Sequence, residues 1–199
     1  MKVKNGLVTL GVLAVLLFTS VGCSYNKLVE ERESVDNQWA NVESRYQERN
    51  DLVPNLVSTV KGFAKHEETV FKEVSDARSK LGSTNITVDS SITDDPEKLA
   101  QFQSEQNALS SSLSHLIAIS EAYPELKSNE NFLDLQSQLE GTENRIATER
   151  KRYNDVVKTY NADIAKFPAL ITAKIFGFKN KAYFKADEGA SKAPTVSFD

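Results

Sequence analysis

The chain has 199 residues, 26% of them charged and 40% hydrophobic, with a formal net charge of −4, which suits one ordinary domain plus appendages. An acidic sequence with a pI near 5.4 lacks the basic face with which nucleic-acid binders displace counterions from phosphate. One cysteine excludes an internal disulfide and thiolate-based zinc sites, and two histidines leave little for metal or acid–base chemistry, so the composition leans away from enzymes.

Lys2 and Lys4 precede an uncharged, largely apolar run from Leu7 to Gly22, closed by Cys23. Two readings fit. In the first, residues 1–23 are a secretory signal whose Ser20-Val21-Gly22-Cys23 resembles a bacterial lipobox, with the sole cysteine acylated as the new N-terminus. In the second, the run is a membrane helix. Its sixteen residues reach only ~24 Å at ~1.5 Å each, so Tyr25 and Lys27 would have to extend it by snorkelling. Both readings place the rest of the chain outside the cytoplasm at a membrane surface. Cleavage before Cys23 would remove two lysines and bring the net charge to −6.

From Leu28 the apolar positions Val35, Trp39, Val42 and Tyr46 form a heptad-like stripe on one helix face. Pro54 interrupts it by removing a backbone N–H and disfavouring helix at Val53, so a kinked, near-continuous helix is expected. The stripe resumes at Leu56 and runs through Val60, Phe63, Val70, Phe71 and Val74 to fade near Leu81. Residues 82–95, rich in Ser, Thr and Asp, read as a mobile loop. Asp95-Pro96 reads as an N-cap with proline at the first helical position. The helix it opens carries Leu99, Phe102, Leu109, Leu113, Leu116 and Ile117, and Pro124 is expected to end it.

The strongest helix follows, over 129–167. Phe132, Leu139, Ile146, Tyr153, Tyr160 and Phe167 recur every seven residues, with Leu135, Thr142, Val157 and Ile164 in the companion seam. Such a repeat on a charged background means a long helix packed against others. Residues 169–178 form a short apolar patch broken by Gly177, and 179–199 read as an extended, mostly polar tail. No alternating strand pattern appears. The expected fold is therefore all-α: an antiparallel bundle over 24–178 of three long helices, or four-helix-like given the kink.

Three long stretches, in order, carry a resemblance. The run YNKLVEERESVDNQWANVESRYQERNDLVPNLVSTVKGFAKHE from Tyr25 is similar to the opening of the LemA family. The run YPELKSNENFLDLQSQLEGTENRIATERKRYNDVVKTYNADIAKFP from Tyr123 resembles its central signature, and FGF, AYF and ADEGASKAP resemble its tail. The resemblance implies a membrane-anchored, mostly helical protein of the bacterial envelope, and it supplies no mechanism.

Five groups of residues are candidate sites, each with a structural alternative. Glu140, Glu143, Asn144 and Arg145 flank Gly141. The two glutamates share a helix face and could hold a metal or act as acid and base, or they could form a register-fixing Glu–Arg layer. A di-iron bundle needs two Glu-x-x-His pairs, and neither His66 nor His115 has a glutamate three places before it. Trp39 is an interface anchor or a core aromatic. Arg49, Asp51, Pro54 and Asn55 mark a partner-recognition notch or the capping of a broken helix. Asn154 and Asn161, one heptad apart, fix register or form a polar ladder to a partner. Leu170, Ile171, Ile175, Phe176 and Phe178, flanked by lysines, either cap the bundle or dip into a membrane interface.

No nucleophile elbow, phosphate loop or dinucleotide fingerprint is present. The expectation is a non-enzymatic scaffold held at a membrane, without cofactor or small-molecule substrate. Its partners would be other envelope proteins or a second copy of itself. The alternative is a protein that organises lipid through its C-terminal patch.

Overall fold

A computed structural model describes residues 2–83 and 90–185, with side chains from Gly22 onward except 77, 78 and 80–83. Helix α1 (Lys2–Phe63) is continuous through Pro54. It is followed by α2 (Glu68–Ser83), a 3-10 turn at Ser90–Asp94, α3 (Pro96–Ala118), a second 3-10 turn at Ile119–Ala122, the single turn α4 (Pro124–Lys127), α5 (Glu130–Ile164) and α6 (Ala169–Phe176). The chain is all-α, with no strand among the described residues.

The first rod is shorter than the stripe suggests. The break lies at 64–67 rather than at Pro54, and the chain turns there, with Glu67 N–H donating to the Ala64 carbonyl at 3.2 Å. Beyond the turn Val70, Phe71 and Val74 join Leu109, Leu113 and Leu116 in one core cluster, so α2 pairs with α3. Pro54 is tolerated because its own face is solvent-exposed while Val53 and Leu56 beside it are buried. The packing keeps α1 continuous past one missing hydrogen bond.

Caps set the other boundaries. Asp95 accepts from the N–H groups of Glu97 and Lys98 ahead of Pro96, and Asn129 accepts from Phe132 N–H to open α5. Helix α3 ends six residues before Pro124, which instead opens α4. Helix α5 ends at Ile164, and Gly177, at φ 74°, closes α6 in the left-handed region that glycine adopts without strain.

The core falls into two clusters along α1. The distal cluster, towards Phe63, takes α2, the end of α3, α4 and the start of α5. The proximal cluster, towards Tyr25, takes α1, the end of α5, the start of α3 and Ala173 of the short α6. There no fourth long helix completes the bundle. Its place is filled by the 3-10 turn, through Ile92, and by an extended segment, through Ala182 and Phe184. Two expectations are corrected here. The loop reading of 82–95 fails at its end, where Ile92 and Thr93 are buried, and the tail reading fails over 181–185, which is part of the core. Residues 84–89 and 186–199 lie outside the described residues.

Among the described residues no helix is long and apolar enough to cross a membrane. The side chains of 2–21, on which both anchor readings rest, lie outside the description; Cys23 is exposed and free.

Candidate functional site

The first polar arrangement is centred on Arg49. Its position continues the α1 stripe by the same steps of three and four that join Tyr46, Val53 and Leu56, so the helix turns it inward. The side chain is only 1% exposed. It donates to Glu143 Oε1 at 2.9 Å, to the Gln106 carbonyl at 3.3 Å, and to the Ser110 hydroxyl and Gln106 Oε1. Ser110 in turn donates to Glu143 at 3.0 Å, and the guanidinium lies 5.2 Å from the Tyr46 ring centre. One buried cation thus ties α1 to α3 and α5.

The remaining residues of the two expected clusters disperse. Asp51 is exposed and accepts from Gln47, and the Asn55 carbonyl accepts from Thr59. Glu140 accepts from Gln136 at the surface, so it does not converge with Glu143. Asn144 is exposed and its carbonyl accepts from Thr148. Arg145 reaches back to Glu48 and Thr142, and its Nη1 lies 3.3 Å from where a Cβ on residue 141 would stand. The Arg145 side chain, rather than a second backbone, occupies the room at Gly141. Among the described residues no group of three or more His, Cys, Asp or Glu is placed to hold a metal ion.

The second arrangement is the extended segment 181–185. Asn161 donates to the Lys181 carbonyl at 2.8 Å and accepts from its N–H at 2.9 Å. Asn154 does the same for Phe184, at 3.0 Å both ways, and Gln103 for Lys185, at 2.8 and 3.2 Å. Ala182 N–H donates to the Thr93 carbonyl at 2.7 Å, and its carbonyl accepts from Tyr153 at 2.9 Å. Each primary amide thus grips the N–H and C=O of one residue as a neighbouring strand would. The asparagine ladder visible in the sequence serves the chain's own C-terminal strap.

Phe184 stacks on Trp39 at 5.9 Å and meets Tyr153 edge-on, which makes Trp39 a core aromatic. Lys181, itself buried, reaches Asp94 at 2.9 Å, Thr93 at 3.0 Å and Asp36 at 3.4 Å. Burial pushes the Tyr153 hydroxyl up and that of Tyr160 up to about 12, so both stay neutral, and Tyr153 remains a donor to the Ala182 carbonyl.

The third arrangement is the foot of the bundle. Helix α6 packs on α1 and α5 and brings Phe176 to 4.7 Å from the Tyr25 ring. Phe178 is half-buried between Tyr25 and Arg32. Leu170, Ile171, Ile175, Phe176 and neighbouring Phe167 remain exposed, Ile175 by 66% and Phe167 by 80%.

Residues 38–198 match the sequence profile of the LemA family. The chain belongs to the LemA family. Among its relatives, magnetosome protein MamQ 2 of Paramagnetospirillum magneticum is 27% identical, covering 97% of this chain and 76% of its own. MamQ of Magnetospirillum gryphiswaldense is 27% identical over 96% and 75%. Protein LemA of Metamycoplasma hominis is 24% identical over 88% and 75%. The LemA match spans Arg49 and the whole strap and begins after Tyr25, so this foot is built partly from residues that precede the family's matched region.

Above the foot of this LemA-family bundle lies a cluster of charge. Asp163 is bound by Lys166 at 2.8 Å and by Lys27, and these hold its carboxyl well below the usual range. Glu31, with Lys27 at 3.5 Å, is pushed up by burial and by its hydrogen bond with Asp163. A carboxyl raised on folding contributes stability below its unfolded value and loses it as pH rises through its folded value. Glu31→Gln should therefore melt higher than the parent at pH 7, by on the order of 1–2 °C. The gap should close below about pH 4. Circular dichroism melts of the two proteins at both pH values check this; a lower melting point at pH 7 contradicts it.

Sequence reasoning missed Lys181, Phe184 and Gln103. An extended segment has no helical period to betray it, and only the regular spacing of its asparagine receptors was visible.

Proposed function

We propose that the chain is a non-enzymatic, membrane-anchored scaffold whose bundle is seated on the bilayer by α6 and Tyr25. LemA-family membership and the magnetosome relatives support a membrane-associated protein of the cell envelope. The observation that carries the reading is the contact of Phe176 with Tyr25. Tyr25 stands two residues after Cys23, so the exposed apolar face of α6 lies where the anchor ends. That height is the same for an acylated Cys23 and for a spanning helix.

The chemistry suits an interface. Leu170, Ile171, Ile175 and Phe176 present apolar surface, Lys174 and Lys179 flank them, and tyrosine favours the headgroup level. Anchor and foot together would give two points of attachment, which fixes the tilt of the bundle where a single tether would leave it free. The ion-paired acids support a structural role as well: Glu143, Glu149, Asp163, Asp36 and Asp94 are each held by a cation.

The test is a Phe176→Trp variant of the full chain in proteoliposomes with brominated acyl chains. Bromine quenches indole on contact, so the added tryptophan should lose most of its emission. The native Trp39, ~21 Å beyond Tyr25 along α1, should keep its own. Leu133→Trp, at an exposed distal position, is the control. Equal quenching at 176 and 133 would remove the foot from the membrane.

A further inference from the structure

The foot carries a charge that the whole chain does not share. Overall 24 basic residues face 28 acidic ones, yet from Ile164 to Lys185 the sequence holds five lysines and no acid. Lys166 holds Asp163, and buried Lys181 reaches Asp94 and Asp36. Lys185 is carried away from the foot, up α5 to Gln103 and Arg150, which bind its main chain. Lys174 and Lys179 remain. Both are exposed, and among the described residues neither has a carboxylate partner. We propose that these two lysines make the foot selective for anionic phospholipid, whose headgroup phosphate they hold. This rests on the membrane seat proposed above and adds the class of lipid that the seat prefers.

Position supports the pairing. Lys174 and Lys179 bracket Ile175, Phe176 and Phe178, and the two phenylalanine rings lie 4.7 and 5.9 Å from that of Tyr25. With those apolar groups below the phosphates, a lysine stem on either side can run along them and leave its ammonium at phosphate level. The opposing charges are answered or distant. Glu31 and Asp163 are covered by Lys27 and Lys166. On α1 the exposed acids Glu30 and Glu33 stand ~8 and ~12 Å beyond Tyr25 along the helix, a Debye length of about 8 Å or more at physiological salt. Their repulsion of a phosphate at the level of Tyr25 is therefore screened. A lysine ammonium is a point charge on a flexible stem, so the pair recognises negative charge in a headgroup rather than one headgroup shape. Each lysine near an anionic surface favours binding by about fivefold.

The test uses the full chain carrying Phe176→Trp in vesicles of equal parts phosphatidylglycerol and phosphatidylcholine, with bromine on the acyl chains of only one of the two lipids. The brominated fraction that half-quenches the tryptophan at position 176 should be about fivefold smaller when phosphatidylglycerol carries the label. The preference should disappear in about 1 M salt, where the Debye length falls to about 3 Å. It should also disappear when Lys174→Gln and Lys179→Gln are added together. Neither lysine has an internal partner, so the bundle stays folded, and helical circular dichroism checks this. Equal quenching by the two lipids overturns the proposal and leaves the membrane seat standing, whereas quenching by neither overturns both. A preference that survives the loss of both lysines also overturns the proposal, because the selecting charge then lies elsewhere.

Discussion

Glu143→Ala is expected to destabilise the bundle more than Arg49→Met, although Arg49 makes the larger number of bonds. The reason is where each charge is left. Arg49 is 1% exposed, whereas the Glu143 side chain is 39% exposed. Removing the glutamate strands a guanidinium in the interior with only neutral acceptors, Ser110 and Gln106. A buried charge deprived of its partner costs about 3–5 kcal/mol. Removing the arginine leaves a carboxylate that water can reach, and methionine refills much of the stem volume, so about 1–2 kcal/mol is expected. The double variant should lie near Arg49→Met alone, because Glu143→Ala has nothing left to strand. Urea unfolding of the three variants gives the coupling directly. A larger loss for Arg49→Met than for Glu143→Ala would mean that the hydrogen bonds, and not the buried charge, dominate this layer.

The same residue shows what the sequence makes legible. The long α5 and the cap at Asp95-Pro96 followed from period and capping chemistry, which act locally. Arg49 sits on the α1 stripe at a step where an apolar residue would stand, but its nearness to Pro54 grouped it with the expected kink, and its burial came from the packing. Asp51 and Asn55 drew attention only by their nearness to Pro54, and both face solvent. The turn at 64–67 was obscured because Pro54 is the stronger local breaker. Tertiary packing on Val53 and Leu56 overrides the proline, whereas the polar run Lys65-His66-Glu67-Glu68 after Gly62 offers no apolar side chain to hold a fourth bundle layer in line. The proximal core was least legible. Its missing wall is supplied by Ala182 and Phe184, 18 and 20 positions beyond the end of α5, through main-chain contacts that leave no side-chain period.

That wall should behave as one detachable unit. Phe184→Ala removes the ring stacked on Trp39 and Tyr153, and a phenylalanine lost from a core costs about 3–5 kcal/mol. Asn154→Ala leaves both the N–H and the C=O of buried Phe184 without their partner, at about 2–3 kcal/mol. The two losses cannot add freely. Once the strap's own docking free energy is spent, the segment leaves the bundle and further damage to it changes nothing. The double variant should therefore converge on the stability of a chain ending at Asn180, which lacks the strap and keeps Phe178. Trp39 is the sole tryptophan and lies under the strap, so its emission should shift to the red in each detached form while helical circular dichroism persists. Cleavage at Lys181 and Lys185 by trypsin should accelerate in parallel. Additive costs, or an unshifted Trp39 in the double variant, would mean that the contacts act singly. Agreement would establish that a LemA-family bundle completes its core with an extended segment, gripped by amides set a heptad apart along α5.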